Sequence, residues 1–241
     1  MADTSPAKRS RPDNGDAVTT STDSQTKPIL YSYWRSSCSW RVRIALNALG
    51  VETEYKAVHL VKNNGEQHAE EYQAKNSMRE VPTLFIDGRH LTQSLSIIEY
   101  LNETRNGKLL PSDPGQRQKV RAVSDLIAQG IQSVQNLRVL QRAMSLVPED
   151  QKTATKISWG KYWIDRGFTA LEQLLKDTSG EFCVGDTLSM ADLCLVPQVY
   201  NANRFKVDMS KFPIISRINA KLNTLDVVKR AHPDAQPDAN S

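Results

Sequence analysis

The chain has 241 residues, of which 39% are hydrophobic, so it can build one large domain or two small ones around a buried core. Its net charge of +4 is small and its basic residues alternate with acidic ones, so we expect no nucleic-acid partner. No apolar run approaches the roughly 20 residues needed to cross a bilayer, and the N-terminus lacks the apolar segment of a secretory signal. We therefore expect a cytoplasmic protein with no membrane partner.

Cysteine and histidine contents argue against two further kinds of site. The three cysteines, Cys38, Cys183 and Cys194, are too few and too widely spaced for a disulfide framework or a zinc site. The four histidines show no metal-ligand spacing, so we expect no bound metal. The sequence has no glycine-rich phosphate loop and no Gly-x-Ser-x-Gly elbow, which argues against nucleotide hydrolysis and serine-hydrolase chemistry.

The first predicted strand and helix enclose a candidate site. An apolar strand at 29–32 is followed by small polar residues and then by apolar residues at helical spacing across 42–49. Ser36, Ser37 and Cys38 thus stand at the start of a helix, where serine is a favoured cap. Because the helix dipole is positive at this end, the site suits a thiolate, a carboxylate or a phosphate.

The following segment completes a predicted β-α-β-α-β-β-α order. Its further elements are expected at residues 54–61, 68–75, 83–86 and 89–91, with a last helix from residue 94. Pro82 cannot donate to a sheet ladder, so after Val81 it marks a strand entry or a turn, where a cis peptide bond is expected. Asp87 and Gly88 are a strong hairpin signal.

The second half of the chain predicts helices only. Apolar residues recur at helical spacing across 117–140 and 157–175. Four polar residues, mostly uncharged amides, share one face of the first helix: Asp125, Gln129, Gln132 and Asn136. A solvated face usually carries more Lys and Glu, so this face is expected to meet a ligand or another subunit. Ser189 and Asp192 form a predicted capping box, which is a folding feature.

These patterns divide the chain into five parts. The predicted parts are a disordered tail at 1–26, an α/β domain at 27–105, a linker at 106–114, an all-helical domain at 115–230 and a tail at 231–241. The first part is rich in Ser, Thr, Asp and Pro, and such a segment cannot bury enough apolar surface to offset its ordering entropy.

Four ordered blocks resemble one protein family. They are SSCSWRVRIAL at 36–46, REVPTLFIDG at 79–88, QSLSIIEYL at 93–101 and VGDTLSMADLCLVPQVYNANRF at 184–205. These blocks resemble the zeta class of glutathione transferases, and the similarity extends from about residue 27 to residue 237. The resemblance implies an α/β thioredoxin-like N-terminal domain that binds glutathione, followed by an all-α helical C-terminal domain.

The same resemblance implies a set of site residues. Ser36 would donate a hydrogen bond to the glutathione sulfur and favour its thiolate, with Ser37 and Cys38 beside it as further catalytic candidates. The other residues expected to contact glutathione are Gln67, Val81, Pro82, Gln93, Ser94, Gln132 and Asn136. Because the attacking sulfur would belong to glutathione, Ser36 is expected to be the principal catalytic residue.

The activity implied is cis–trans isomerisation of maleylacetoacetate to fumarylacetoacetate in the catabolism of tyrosine and phenylalanine. Glutathione would be a cofactor because it is regenerated, and maleylacetone and small α-haloacids would be further substrates. Arg204 matches a family arginine that faces the active site, where it would bind a substrate carboxylate. A homodimer is expected.

The sequence departs from the family pattern at three points. The helix after the linker is expected to end at Arg138, the loop at 141–151 is longer than in relatives, and Ser77 stands where Asn-Pro is common. Arg35 and Arg41 lie on either side of Ser36, Ser37 and Cys38 and could contribute positive field, without an assigned contact.

Two alternatives remain open. Cys38 could serve a glutathione-dependent thiol transferase, although no second cysteine follows it within the motif. The fold could also belong to a non-catalytic ligand-binding protein, although the intact motifs argue against a decayed site.

Overall fold

A computed structural model describes residues 27–239, so the predicted tail at 1–26 and the last two residues lie outside the described range. The strands are β1 (Ile29–Ser32), β2 (Glu54–Ala57), β3 (Thr83–Ile86) and β4 (Arg89–Thr92). The α-helices are α1 (Ser37–Ala48), α2 (Glu70–Gln73), α3 (Ser94–Thr104), α4 (Pro114–Asp125), α5 (Leu137–Met144), α6 (Lys152–Thr178), α7 (Met190–Arg204), α8 (Pro213–Leu222) and α9 (Asp226–Ala231). Within the described range, every helix is too short or too polar to cross a membrane.

The N-terminal half forms a four-stranded mixed sheet in the order β2-β1-β3-β4. β1 runs parallel to β2 and antiparallel to β3, and the register places Leu30 opposite Tyr55 on one side and Leu84 on the other. Leu30 and Leu84 are buried, so the two central strands carry the apolar face against which α1 and α3 pack. The predicted α/β thioredoxin-like domain is confirmed.

Two elements of this domain are shorter than predicted. β2 ends at Ala57 because the chain turns at His59, whose Nδ1 accepts backbone N–H groups of the next turn at 2.9 and 3.3 Å. The helix predicted at 68–75 covers only Glu70–Gln73. Ala69 has an extended backbone with ψ 141°, which separates this helix from the turn before it.

The second half is all-helical, as predicted, but its first long helix is broken. The chain follows a wider π-helical turn over Leu126–Gln132, and Asn136 then adopts ψ 158°. The Asn136 side chain accepts the backbone N–H of the next residue at 2.7 Å and so begins α5, which runs to Met144. The expected helix end at Arg138 is therefore wrong, and the loop before α6 is shorter than predicted.

A buried polar network ties the C-terminal segment to the loop before α1. Arg43 Nη2 donates to the Trp34 carbonyl at 2.8 Å and Arg43 Nε donates to the Ala231 carbonyl at 3.1 Å. Asp238 is 4% exposed and accepts the Trp34 N–H at 2.9 Å and the Tyr55 hydroxyl at 2.7 Å. Burial lowers the pKa of Arg43 to about 10, so it stays charged at neutral pH. The segment predicted as a C-terminal tail is thus packed against the N-terminal domain as far as the structure describes it.

The capping box predicted at the start of α7 is confirmed. Asp192 Oδ2 accepts the backbone N–H of Ser189 at 2.8 Å and its hydroxyl at 2.9 Å. Asp192 Oδ1 accepts the Cys183 N–H at 2.8 Å. One buried carboxylate therefore satisfies donors at the helix start and in the turn that precedes it.

We predict that Asp192→Ala lowers the free energy of unfolding by about 2–3 kcal/mol, because it leaves buried donors unpaired and removes a helix cap. Asp226→Ala, an exposed carboxylate in the first turn of α9, is the matched control and should cost less than about 0.5 kcal/mol. Urea unfolding of both variants measures the difference, and equal costs would contradict the capping role.

We also predict that Asp238→Ala lowers the free energy of unfolding by about 2–4 kcal/mol, because it removes the acceptor of two partly buried donors and the counter-charge near Arg43. Asp234→Ala removes an exposed carboxylate from the same segment and should have little effect. Denaturant unfolding of both variants measures their free energies of unfolding. An Asp238→Ala protein as stable as the parent would show that the C-terminal segment is only loosely attached.

Candidate active site

The N-terminus of α1 opens into a cleft between the two domains. Ser36 is the N-cap of this helix, and its Oγ accepts the Ser39 N–H at 3.2 Å. Because the helix uses the oxygen as an acceptor, the Ser36 hydroxyl keeps its own proton to donate to a ligand. The dipole of α1 adds positive potential at the same point. Ser36 is therefore suited to stabilise a negatively charged atom.

The three residues predicted at this helix start have different surroundings. Cys38 lines the cleft, with its Sγ 3.5 Å from Gln132 Oε1. Ser37 is buried instead, and its Oγ accepts a hydrogen bond from Asn201 Nδ2 at 2.8 Å. Ser37 thus joins α1 to α7, whereas Ser36 and Cys38 are accessible to a ligand.

Two adjoining cavities make up the cleft, with volumes of about 450 Å³ and about 350 Å³. Their shared lining residues are Cys38, Glu80, Val81, Asn136 and Arg138. Of the other predicted residues, the larger cavity contains Pro82, Gln93, Ser94 and Gln132, and the smaller contains Ser36 and Gln67. The structure therefore brings together every predicted site residue except Ser37 and Arg204.

The Val81–Pro82 peptide bond is cis, as predicted, and lies directly before β3. Val81 is buried, yet its backbone N–H and C=O form no hydrogen bond with any other residue in the range 27–239. Buried backbone groups are nearly always paired. Val81 can therefore pair with the backbone of an extended peptide that lies along the cleft.

The N-terminus of α3 reaches the same cleft. Gln93 precedes this helix with φ 66°, a conformation that costs energy for a residue other than glycine and clusters at ligand sites. The buried Ser94 begins the helix, and its Oγ accepts a hydrogen bond from Arg41 Nη1 at 3.3 Å. No side chain in the described part of the protein caps this helix, so its first N–H groups remain available for a carboxylate.

Gln67 lines the smaller cavity and has an unpaired, buried side-chain oxygen. It is 8% exposed, its Nε2 donates to the Leu60 carbonyl at 3.4 Å, and its Oε1 lacks a partner among the described residues. Gly65, at φ 92°, makes room for this side chain, since a Cβ there would lie 2.5 Å from Gln67 Nε2. A donor on a ligand could satisfy the Gln67 oxygen.

The polar face predicted on the first helix of the second domain meets the cleft. Its members Asp125, Gln129, Gln132 and Asn136 all line the larger cavity. Gln129 Nε2 donates to Asp125 Oδ1 at 2.9 Å, and Gln132 accepts from the Cys38 thiol as described. Within one chain, this face therefore contributes hydrogen-bonding groups to the wall of the cleft.

Arg204 lies at the end of α7, outside the lining of both cavities. Its Nη1 donates to Asn201 Oδ1 at 3.3 Å, so Asn201 bridges Arg204 to Ser37. Desolvation and the nearby charge of Arg35 lower the pKa of the Arg204 guanidinium. The Arg35 guanidinium lies 5.1 Å from the centre of the Trp34 ring. Two arginines therefore stand together beside the loop that leads to Ser36.

Sequence reasoning assigned no contact to two residues that organise this region: it named Arg41 only as a source of positive field, and it did not single out Asn201. Arg41 is buried and contacts both Cys38 and Ser94, which its position three residues after Cys38 on one helix face could have suggested. Asn201 stands three residues before Arg204 and shares its helix face, yet only the packing of α7 on α1 shows its partner Ser37.

Comparison with known proteins identifies the family. The profile described as "Glutathione S-transferase, N-terminal domain" matches residues 30–109, and "Glutathione S-transferase, C-terminal domain" matches residues 140–230. A mouse (Mus musculus) protein named maleylacetoacetate isomerase is 54% identical over 213 residues, which cover 88% of this chain and 95% of the relative.

Two solved proteins share the fold. One is a bacterial maleylpyruvate isomerase described as a zeta-class glutathione S-transferase, with a TM-score of 0.81 and 41% identity over 88% of this chain and 99% of the other. The other is maleylacetoacetate isomerase from Anaeromyxobacter dehalogenans with glutathione bound in its active site, with a TM-score of 0.78 and 41% identity over 89% of this chain and 99% of the other. A further structure of that protein contains dicarboxyethyl glutathione and citrate in the active site, with a TM-score of 0.78 and 39% identity over 90% and 100% of the two chains.

The two matched domains, the length of the similarity and the shared fold lead to one conclusion. This chain belongs to the glutathione S-transferase family, in its zeta class.

Proposed function

We propose that the protein is a maleylacetoacetate isomerase, which converts maleylacetoacetate to fumarylacetoacetate in the catabolism of tyrosine and phenylalanine with glutathione as cofactor. One observation carries this proposal. The complete cleft, with Ser36 at the start of α1 and Gln93 and Ser94 at the start of α3, occurs in a chain 54% identical to a maleylacetoacetate isomerase over 88% of its length.

The residues of the cleft fit glutathione. The N-terminus of α3 at Gln93 and Ser94 would hold the γ-glutamyl carboxylate, which matches its available N–H groups. The unpaired backbone of Val81, after which Pro82 turns the chain, would pair with the cysteinyl residue. The unpaired oxygen of Gln67 would accept a peptide N–H.

Further contacts would come from the helical domain and from α1. Gln132 and Asn136 would supply amides from the helical domain to the lining of the larger cavity. Ser36 would donate to the sulfur and, with the dipole of α1, favour its ionised form. Ser37, held by Asn201, would act by fixing the position of α1, and Cys38 would contact the ligand from the junction of the two cavities.

The chemistry needs a nucleophile that adds and leaves reversibly. Bound glutathione supplies a thiolate that adds to the conjugated double bond of the substrate and leaves after rotation about the resulting single bond. Ser36 holds the sulfur in its reactive state, and the wall of the cleft fixes the distance between sulfur and substrate. The positive groups at the α1 end stabilise negative charge that develops on the substrate oxygens.

Arg204 would bind the substrate. Maleylacetoacetate carries two carboxylates, and Arg204 and Arg35 provide two neighbouring guanidinium groups beside the loop before Ser36. The active site of the similar protein from Anaeromyxobacter dehalogenans contains dicarboxyethyl glutathione and citrate, which supports a site for acids with several carboxylates in this chain. The same arrangement would admit maleylacetone and small α-haloacids.

Three further features belong to the proposal. The chain would be divided into a glutathione-binding domain, a linker and a helical substrate domain, with the cleft between the two domains. We also propose a homodimer and a cytoplasmic location, in line with the sequence-based expectation. Sedimentation equilibrium of the purified protein would measure its oligomeric state, and fractionation of cells would test its location.

We predict that Ser36→Ala lowers kcat for the isomerisation of maleylacetone about 100-fold, because it removes the donor that stabilises the thiolate. Ser37→Ala is the matched control and should have a much smaller effect, because Ser37 bonds to Asn201 outside the cleft lining. Cys38→Ser should retain most isomerase activity. The assay follows the absorbance change of maleylacetone with glutathione present.

The two alternatives make different predictions in this assay. Loss of turnover in Cys38→Ser with an unaffected Ser36→Ala protein would favour the thiol transferase. Failure of the parent protein to bind immobilised glutathione and to isomerise maleylacetone would favour a non-catalytic binding protein.

We predict that Arg204→Met lowers kcat/KM about 10- to 100-fold for maleylacetoacetate and less for maleylacetone, which has one carboxylate fewer. Arg204→Lys should recover only part of the loss, since lysine cannot form a bidentate pair. Arg217→Met, an exposed arginine on α8, controls for the loss of charge. Equal losses for both substrates would contradict the assignment of Arg204 to the carboxylate that maleylacetone lacks.

A further inference from the structure

Arg41 is a buried cation behind the candidate sulfur site. It is 1% exposed and lies one turn after Cys38 on α1. Its Nη1 donates to Ser94 Oγ at 3.3 Å and lies 4.0 Å from Cys38 Sγ. Its Nε and Nη2 have no hydrogen-bond partner among residues 27–239. An incompletely paired buried charge lowers the stability of the folded protein, so packing alone does not account for Arg41 at this position.

No carboxylate among the described residues lies within ion-pair distance of Arg41. The charged and titratable side chains that face this region from the surrounding elements are Cys38, Glu80, Asp125, Arg138 and Cys194. Glu80 forms an ion pair with Arg138 at 3.1 Å, and Asp125 accepts from Gln129 at 2.9 Å. Burial raises the pKa of the Cys194 thiol to about 11, which keeps it neutral. In the described part of the chain, Arg41 therefore has no ion-pair partner.

Arg41 joins two residues of the cleft lining. Cys38 lines both cavities, and Ser94 begins α3 and lines the larger one. One guanidinium group contacts both residues. A hydroxyl that accepts a guanidinium N–H also keeps its own proton for a ligand carboxylate.

We propose that Arg41 is a positioning residue of the glutathione site, which favours an ionised sulfur beside Cys38 and orients the Ser94 hydroxyl towards the γ-glutamyl carboxylate. This inference rests on the proposed use of the cleft for glutathione. The charge acts on the sulfur because opposite charges at short range stabilise the ionised form of an acid. The protein thereby keeps an unpaired cation that reduces its own stability and gains a prepared anion site.

The test compares R41M and R41K with the parent protein and with R121M, which removes an exposed arginine outside the cleft. Ultraviolet absorbance of the thiolate measures the pKa of the sulfur in bound glutathione, and calorimetry measures glutathione affinity. R41M should raise that pKa by about one unit and weaken binding about tenfold. R41K keeps the charge, so it should leave the pKa near the parent value while binding weakens because the contact with Ser94 is lost.

Thermal unfolding without glutathione separates this role from a structural one. R41M should have a Tm at least equal to that of the parent, because it replaces an unpaired buried cation with an apolar side chain. A destabilised or unfolded R41M would show that Arg41 is structural and would overturn the proposal. The electrostatic role would be overturned by a folded R41M with an unchanged sulfur pKa, or by a raised sulfur pKa in R41K. An unchanged glutathione affinity in R41K would overturn the orienting role.

These readouts do not depend on isomerase activity. A parent protein that binds glutathione but does not isomerise maleylacetone would contradict the proposed function and leave the role of Arg41 standing. R121M should match the parent in the sulfur pKa and in glutathione affinity.

Discussion

The packing of α1 against the helical domain is the constraint on which the rest of the structure depends. Asn201 on α7 fixes the start of α1 through Ser37, and Arg43 ties the same helix to the C-terminal segment and to the loop that leads to Ser36. These bonds aim the N-terminus of α1 into the space between the domains. Residues of both domains line the cleft, and this packing holds the two domains together.

The chain concentrates positive potential locally although its net charge is only +4. The N-termini of α1 and α3 open into one cleft, the buried Arg41 lies between them, and Arg35 and Arg204 stand beside its α1 end. A ligand with several carboxylates and an ionisable thiol matches this distribution. Stability is reduced at the site by the incompletely paired Arg41 and by the positive φ of Gln93, whereas capping and burial stabilise the fold elsewhere.

Sequence reasoning succeeded where the signal is local. Periodicity and turn residues predicted the strand and helix order of the first domain, the cis bond at Pro82 and the capping box at Ser189, because each depends on a few neighbouring residues. The polar face that includes Gln132 was also readable from spacing alone. The break at Asn136 was missed because the apolar stripe continues across it, and only the backbone conformation reveals the new helix.

The sequence by itself determined the two-domain class, the family and most residues of the cleft, since these follow from local patterns and motif resemblance. Tertiary structure decided what depends on contacts between distant segments. It placed Ser37 against Asn201 and outside the cleft lining, it buried Arg41 against Ser94, and it packed Asp238 on the loop before Ser36. Such contacts join residues far apart in the chain, so no local pattern encodes them.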